Sequence, residues 1–249
     1  MLSSRYLNKI CLITGGTKGI GLATAHRLAK EQATVIMCSS RDESVKSALQ
    51  SFDKDLARDR VHGVRCDVTS KKERLQMLDM VNRMYGRVDV LILNHAVISH
   101  IGKQMEITEA KFDEMVNVNL KSCFFMIQES LPLLKAAKKP NILLTSSMSA
   151  VDPFYQIGVY GITKAGVNNM VRSLSVELMD INCRVNGIAP GLVDTDMAAP
   201  FLRDNTLINE KNCAKPEHIA SVIATICSEA DGQFMNGEVY TVHGGFPRL

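Results

Sequence analysis

Seven short apolar runs rich in β-forming residues alternate with longer stretches of helical pattern, and this alternation constrains the chain more than any other feature. The runs are Lys9 to Thr14, Thr34 to Cys38, Val61 to Cys66, Val88 to Asn94, Asn141 to Ser146, Arg184 to Ala189 and Glu238 to Val242. Helical segments fall near 19–31, 43–57, 70–86, 108–136, 159–180 and 216–228. Strand and helix in turn predict βαβ units around a parallel sheet. The runs are apolar on both faces, so helices should cover both sides. At 249 residues and 46% hydrophobic, the chain suits one α/β domain over 1–249, a doubly wound parallel sheet of seven strands.

The bulk numbers exclude several classes. A net charge of +3 with scattered basic residues gives no reason to expect nucleic acid or an anionic membrane as partner. The seven cysteines form no CxxC pair, and Cys11, Cys38, Cys66 and Cys183 sit in strand-like runs. They read as reduced core thiols of a cytoplasmic protein, with no metal site. No apolar run reaches the length of a membrane span, and Met1 to Lys9 is too short and polar for a signal peptide. Pro247-Arg248-Leu249 is a loose relative of the peroxisomal Ser-Lys-Leu address, with coincidence the preferred reading.

Ligands of such sheets bind beyond the carboxyl ends of the strands, where strand order reverses. Thr14-Gly15-Gly16-Thr17-Lys18-Gly19-Ile20-Gly21 follows the first run and opens a helical pattern. Its glycines let the backbone approach a pyrophosphate and present helix N-terminal amides to it. Further on, Tyr160 and Lys164 lie four apart, one helical turn on the same face. At roughly 5 Å and an effective dielectric near 20, the ammonium favours the phenolate by about 3 kcal/mol, or roughly two pKa units. That predicts a tyrosine drawn toward neutrality, suited to acid–base catalysis. Ser147, thirteen residues before Tyr160, ends the fifth run and can face the same spot. The trio reads as carbonyl chemistry.

These motifs, with Asn94 after the fourth run, Asn119, and Arg184-Val185-Asn186-Gly187-Ile188-Ala189-Pro190-Gly191, stand in one order at one set of intervals. Together they resemble the short-chain dehydrogenase/reductase family over residues 8–245, which implies a Rossmann-like fold. The resemblance implies that Asn119 interrupts its helix and holds a water linking Lys164 to solvent. It implies that Asp67 and Val68 lie against the adenine, and that Pro190, Gly191, Val193 and Thr195 flank the nicotinamide, with the Thr195 hydroxyl on its carboxamide. Asn94 matches the second asparagine of the family's Asn-Asn-Ala-Gly, whereas Leu93, His95 and Ala96 depart from it. His95 is either a satisfied turn histidine, the favoured reading, or a neighbour of the cofactor. Pairing of the helices beginning near 108 and 159 into a homotetramer or homodimer also follows from the resemblance.

At the end of the second run an acidic residue suits NAD and an arginine suits a 2′-phosphate. Here stands Ser39-Ser40-Arg41, with Lys18 as a second cation, so NADP(H) is predicted over NAD(H). Residues 192–216 are the expected substrate lid. Met197 there and Met148, Phe154 and Ile157 after Ser147 would line an apolar channel, or serve as packing or an oligomer contact. The expected activity is NADPH-dependent reduction of apolar ketones or aldehydes, reversible as alcohol oxidation. Asn119, Ser147, Tyr160 and Lys164 form the catalytic set. Within the family the chain is most similar to carbonyl and retinal reductases of the dehydrogenase/reductase member 4 type. A 3-oxoacyl-carrier-protein reductase is the alternative, and a non-catalytic dinucleotide sensor is the alternative of another class.

Overall fold

The computed structural model describes residues 4–53, 60–202 and 213–245. Seven strands form one parallel sheet in the order β3-β2-β1-β4-β5-β6-β7. They are β1 (Ile10–Thr14), β2 (Thr34–Ser39), β3 (Val61–Arg65), β4 (Val90–Leu93), β5 (Asn141–Thr145), β6 (Arg184–Pro190) and β7 (Val239–Val242). Each expected run is a strand with its ends shifted by at most two residues, β2 and β6 each running one residue further than expected. The fourth starts late because the Val88 amide turns away to the Leu133 carbonyl at 3.0 Å.

The principal helices are α1 (Gly19–Lys30), α2 (Asp42–Gln50), α3 (Lys71–Tyr85), α4 (Glu109–Val116), α5 (Ser122–Lys135), α6 (Gly158–Glu177), α7 (Ala199–Leu202), α8 (Pro216–Cys227) and α9 (Glu229–Gly232). The expected 108–136 helix is two helices joined by a wide π turn at Asn117–Lys121. The expected 43–57 helix ends at Gln50 with Ser51 as its C-cap, and 54–57 lie outside the described residues. Residues 203–212 of the expected lid and the tripeptide 247–249 also lie outside them. No helix among the described residues is long and apolar enough to cross a membrane.

Side-chain alternation along the strands builds two cores. Leu12, Ile36, Leu91, Leu144 and Val185 face α3, α5 and α6, through Met77, Val81, Met126, Ile127, Val167 and Val171. Their neighbours Cys11, Ile13, Val35, Met37, Ile92 and Leu143 face α1 and α8, through Leu28, Ala29, Ile219 and Ile223. A period of two in the strands thus produces both layers. The strand order reverses between β1 and β4, whose carboxyl ends open one crevice.

One buried ion pair fixes the helices beneath that crevice. Arg74 of α3 holds Glu129 of α5 through two bonds of 2.7 and 2.8 Å and also donates to the Val68 carbonyl. Removing one partner strands a buried charge, so Arg74→Ala should lower stability by about 3–5 kcal/mol. Urea unfolding of the variant would measure this, and a change below about 1 kcal/mol would show the pair to be peripheral.

Candidate active site

The crevice is a cleft of about 710 Å³ running from the glycine turn across the ends of β2, β3, β4 and β5 to the loop after β6. Gly15 and Gly19 have φ of +60° and +50°, values that disfavour any side chain. A Cβ on Gly21 would lie 2.2 Å from the Gly15 carbonyl oxygen, so the turn folds tightly only with glycine there. Lys18 is the N-cap of α1 and its side chain makes no capping hydrogen bond to the first turn, which holds no acidic residue. The amides of that turn are therefore left for an anion. Thr17 is buried, and Thr17, Gly19 and Ile20 line the cleft. The chemistry of this donor set fits a dinucleotide pyrophosphate.

Asn94 locks the turn to the sheet: its Nδ2 donates to the Gly15 carbonyl at 3.1 Å, and its Oδ1 accepts from the Thr145 hydroxyl at 3.2 Å. Asp67 accepts from the amide and hydroxyl of Thr69, while Val68 is buried; both line the adenine end expected from the resemblance. Ala96 also lines the cleft. At the β2 end lie Ser39, Ser40 and Arg41, with Arg41 exposed. Across from them Lys18 makes a 2.6 Å ion pair with Asp196, whose carboxyl is held below its usual range by Lys18 and by nearby Arg41. This bridge joins the glycine turn to the loop after β6. The two residues lie 178 positions apart, and no local pattern announces the pair.

Tyr160, Ser147 and Lys164 converge on the same cleft. Helix α6 carries Tyr160 and Lys164 one turn apart, and the ammonium lies 5.6 Å from the phenol ring centre. Ser147 caps the short turn Met148–Ala150, its Oγ accepting from the Ser149 amide and hydroxyl. Lys164 Nζ donates to the Thr145 carbonyl at 2.7 Å. Asn119 lies fully buried in the π turn, accepting from the Val97 amide at 2.8 Å and donating to the Val97 carbonyl at 3.0 Å and to Thr163 Oγ1 at 3.2 Å. Thr163 and Thr145 were missed in the sequence. Thr163 could have been noticed as the residue three after Tyr160, one helical turn on.

The electrostatics correct one expectation. Tyr160 is not drawn toward neutrality: burial pushes its pKa up from the usual tyrosine value, with Ser147 opposing. Burial also pushes Lys164 down to about 8, with Cys123 opposing. A charged lysine in a moderately polar medium would lower the phenol pKa, but here both groups are buried and desolvation outweighs their attraction.

The loop after β6 brings Pro190, Gly191, Val193 and Thr195 to the cleft. The Thr195 hydroxyl donates to the Val193 carbonyl at 3.2 Å, and Val193 bridges Ala214 beyond residues 203–212. Of the four residues expected to meet substrate, Ile157 and Met197 line the cleft. Met148 and Phe154 do not: Phe154 borders a neighbouring groove and packs edge-on against Phe201, 6.1 Å away. Phe201 and Leu192, both from the expected lid segment, also stand in the cleft wall.

A doubly wound parallel sheet with a glycine turn at its switch point, and a serine, tyrosine and lysine beside it, defines a dinucleotide-dependent protein of Rossmann type. Residues 9–206 match the family model for short chain dehydrogenases. The chain is 30% identical to dehydrogenase/reductase SDR family member 4 of Oryctolagus cuniculus over 96% of this chain and 94% of the relative. It is 30% identical to tropinone reductase-like 3 of Erythroxylum coca, over 99% and 96%. The crystal structure of levodione reductase superposes with a TM-score of 0.89 at 25% identity, covering 96% of this chain and 98% of the other. The chain belongs to the short-chain dehydrogenase family, whose members are oxidoreductases using NAD(P)(H).

The buried lysine makes a testable mark on stability. Its folded pKa of about 8 lies below the ordinary value of 10.5, so between those pH values the unfolded chain binds the extra proton. Lys164 therefore destabilises the fold fully below pH 8, and the penalty fades as pH rises to 10.5. Lys164→Met should be more stable than the parent at pH 7 by about 3 kcal/mol, with the difference shrinking toward pH 10.5. Paired denaturant titrations across that window measure it, and a pH-independent difference would contradict the burial argument.

Proposed function

We propose that the protein is an NADPH-dependent reductase of apolar ketones and aldehydes, reversible as an alcohol dehydrogenase. The observation that carries this reading is the convergence of Ser147, Tyr160 and Lys164 in one cleft with the glycine turn. When bound, the dinucleotide supplies the hydride that reduces the carbonyl carbon. Its pyrophosphate would be held by the turn from Gly15 to Gly21, its adenine by Asp67 and Val68 beside Asn94 and Ala96, and its nicotinamide by Pro190, Gly191, Val193 and Thr195. Tyr160 and Lys164 would reach the nicotinamide ribose.

Tyr160 gives the proton to the developing alkoxide, while the Ser147 hydroxyl donates a hydrogen bond to the same oxygen. A raised phenol pKa keeps Tyr160 protonated over the working pH range, which suits a proton donor. Lys164, poised near 8, can resupply that proton, and the π turn around Asn119 offers the route toward water. Ser147 and Tyr160 line the same cleft, so a carbonyl oxygen placed between their hydroxyls would meet two donors held by the fold. Ile157, Leu192, Met197 and Phe201 give the substrate end an apolar wall, which favours uncharged carbonyl compounds. Tyr160→Phe should lower kcat by about 10²–10⁴-fold with NADPH affinity kept, and retained turnover would remove Tyr160 as the donor.

The preference for NADPH rests on Arg41 and Lys18 beside Ser39 and Ser40, with no carboxylate at the β2 end until Asp42. A charge-assisted contact to a 2′-phosphate is worth about 1.5–3 kcal/mol. Arg41→Ala should therefore cut kcat/KM for NADPH by about 10–100-fold and leave that for NADH nearly unchanged. Equal losses with both dinucleotides would move the assignment to NADH. Exposed Phe112 on α4, Phe124 on α5 and Val176 on α6 support assembly as a homodimer or homotetramer.

A further inference from the structure

His95 stands in the cleft wall just past the end of β4, its ring largely buried and bonded at both nitrogens. Thr14 Oγ1 lies 2.6 Å from Nδ1, and Ser122 Oγ lies 2.7 Å from Nε2. The Ser122 hydroxyl spends its one proton on the Val118 carbonyl at 2.6 Å. At the second contact the imidazole must therefore donate, which assigns the hydrogen to Nε2 and leaves Nδ1 to accept from Thr14. One chain of hydrogen bonds thus runs from Thr14, at the root of the glycine turn, through His95 and Ser122 to the Val118 carbonyl inside the π turn. The adjacent Cys123 thiol donates to the Asn119 carbonyl at 3.3 Å and touches His95 Nε2 at 3.4 Å.

The geometry points to His95 as a positioning residue: a neutral two-ended brace that keeps the π turn bearing Asn119 in register with the dinucleotide-binding turn. This rests on the reductase reading given above. The brace links the two halves of the site, since Thr14 leads into Gly15 and the π turn clasps Val97 and Thr163 beside Tyr160. Its backbone leaves no slack, because a Cβ on Gly15 would fall 2.8 Å from His95 Cα. The ring stays uncharged: burial first, then Lys164, lowers its pKa to about 3, Arg74 lowers it too, and Asp67 opposes. Thr14 on β1, Asp67 after β3, Arg74 on α3, Ser122 and Cys123 on α5 and Lys164 on α6 are polar and charged groups around it. A glutamine carboxamide carries an acceptor and a donor side by side and can replace both bonds, whereas alanine replaces neither.

The test compares His95→Ala with His95→Gln. In the cofactor-free protein, hydrogen exchange at the Val97 amide, which donates to the Asn119 side chain, should speed up about tenfold or more in His95→Ala and return to within about threefold of the parent in His95→Gln. With NADPH and a ketone, His95→Ala should lose about tenfold or more in kcat, and His95→Gln should recover it with an unchanged pH profile. The proposal is overturned if His95→Ala lowers Tm alone with Val97 exchange and kcat unmoved, if His95→Gln is as impaired as His95→Ala, or if His95→Gln deletes a limb of the pH profile. Should His95→Ala fail to fold, His95→Gln against His95→Leu gives the same contrast at nearly constant volume. An active Tyr160→Phe variant would instead overturn the reductase reading, so the two failures are separable.

Discussion

The account depends on one buried cation. Lys164 is 1% exposed, and its ammonium donates to the Thr145 carbonyl at the tip of β5. Taking an ammonium out of water is costly, and a single neutral acceptor does not offset that cost. The lysine responds by yielding its proton near pH 8, within reach of ordinary solution conditions. The neighbouring phenol responds to the same burial in the opposite sense and holds its proton more tightly. A ready proton source beside a firm proton donor is a combination that the proposed carbonyl reduction would use.

The sheet makes that burial possible. Because β5 lies between β4 and β6, its carboxyl end opens into the cleft while helices cover both faces behind it. Helix α6 packs Val167, Val171 and Leu174 into one core, which fixes the rotation of the helix and with it the direction of Tyr160 and Lys164. The glycine turn is set by the same sheet through Asn94, so the nucleotide side and the proton side are referred to one frame. Rigid strands and short bonded turns, rather than long loops, hold the polar groups in place.

Much of this was legible in the amino-acid order because it depends on local rules. Alternating apolar runs announced all seven strands, and the four-residue step from Tyr160 to Lys164 announced a shared helix face. The glycine spacing announced a tight turn before α1. What could not be read depends on contacts between distant segments. Lys18 meets Asp196, and His95 meets Thr14 and Ser122, through approaches that only the folded sheet creates. The sense of the Tyr160 shift was misread for a related reason: spacing gives the distance to a neighbouring charge, but the dielectric follows from everything packed around it. Met148 and Phe154 lie outside the cleft because the segment after Ser147 turns twice in short helical steps and carries Phe154 toward Phe201.

The most direct measurement is a titration of the Tyr160 ring by carbon NMR in the cofactor-free protein, with the resonance assigned by its loss in Tyr160→Phe. The account predicts that the phenol signal persists beyond pH 10, the ordinary midpoint for tyrosine, since burial dominates. A phenolate signal already formed at about pH 8 would show that the Lys164 charge outweighs burial, and would contradict the electrostatic basis of the site.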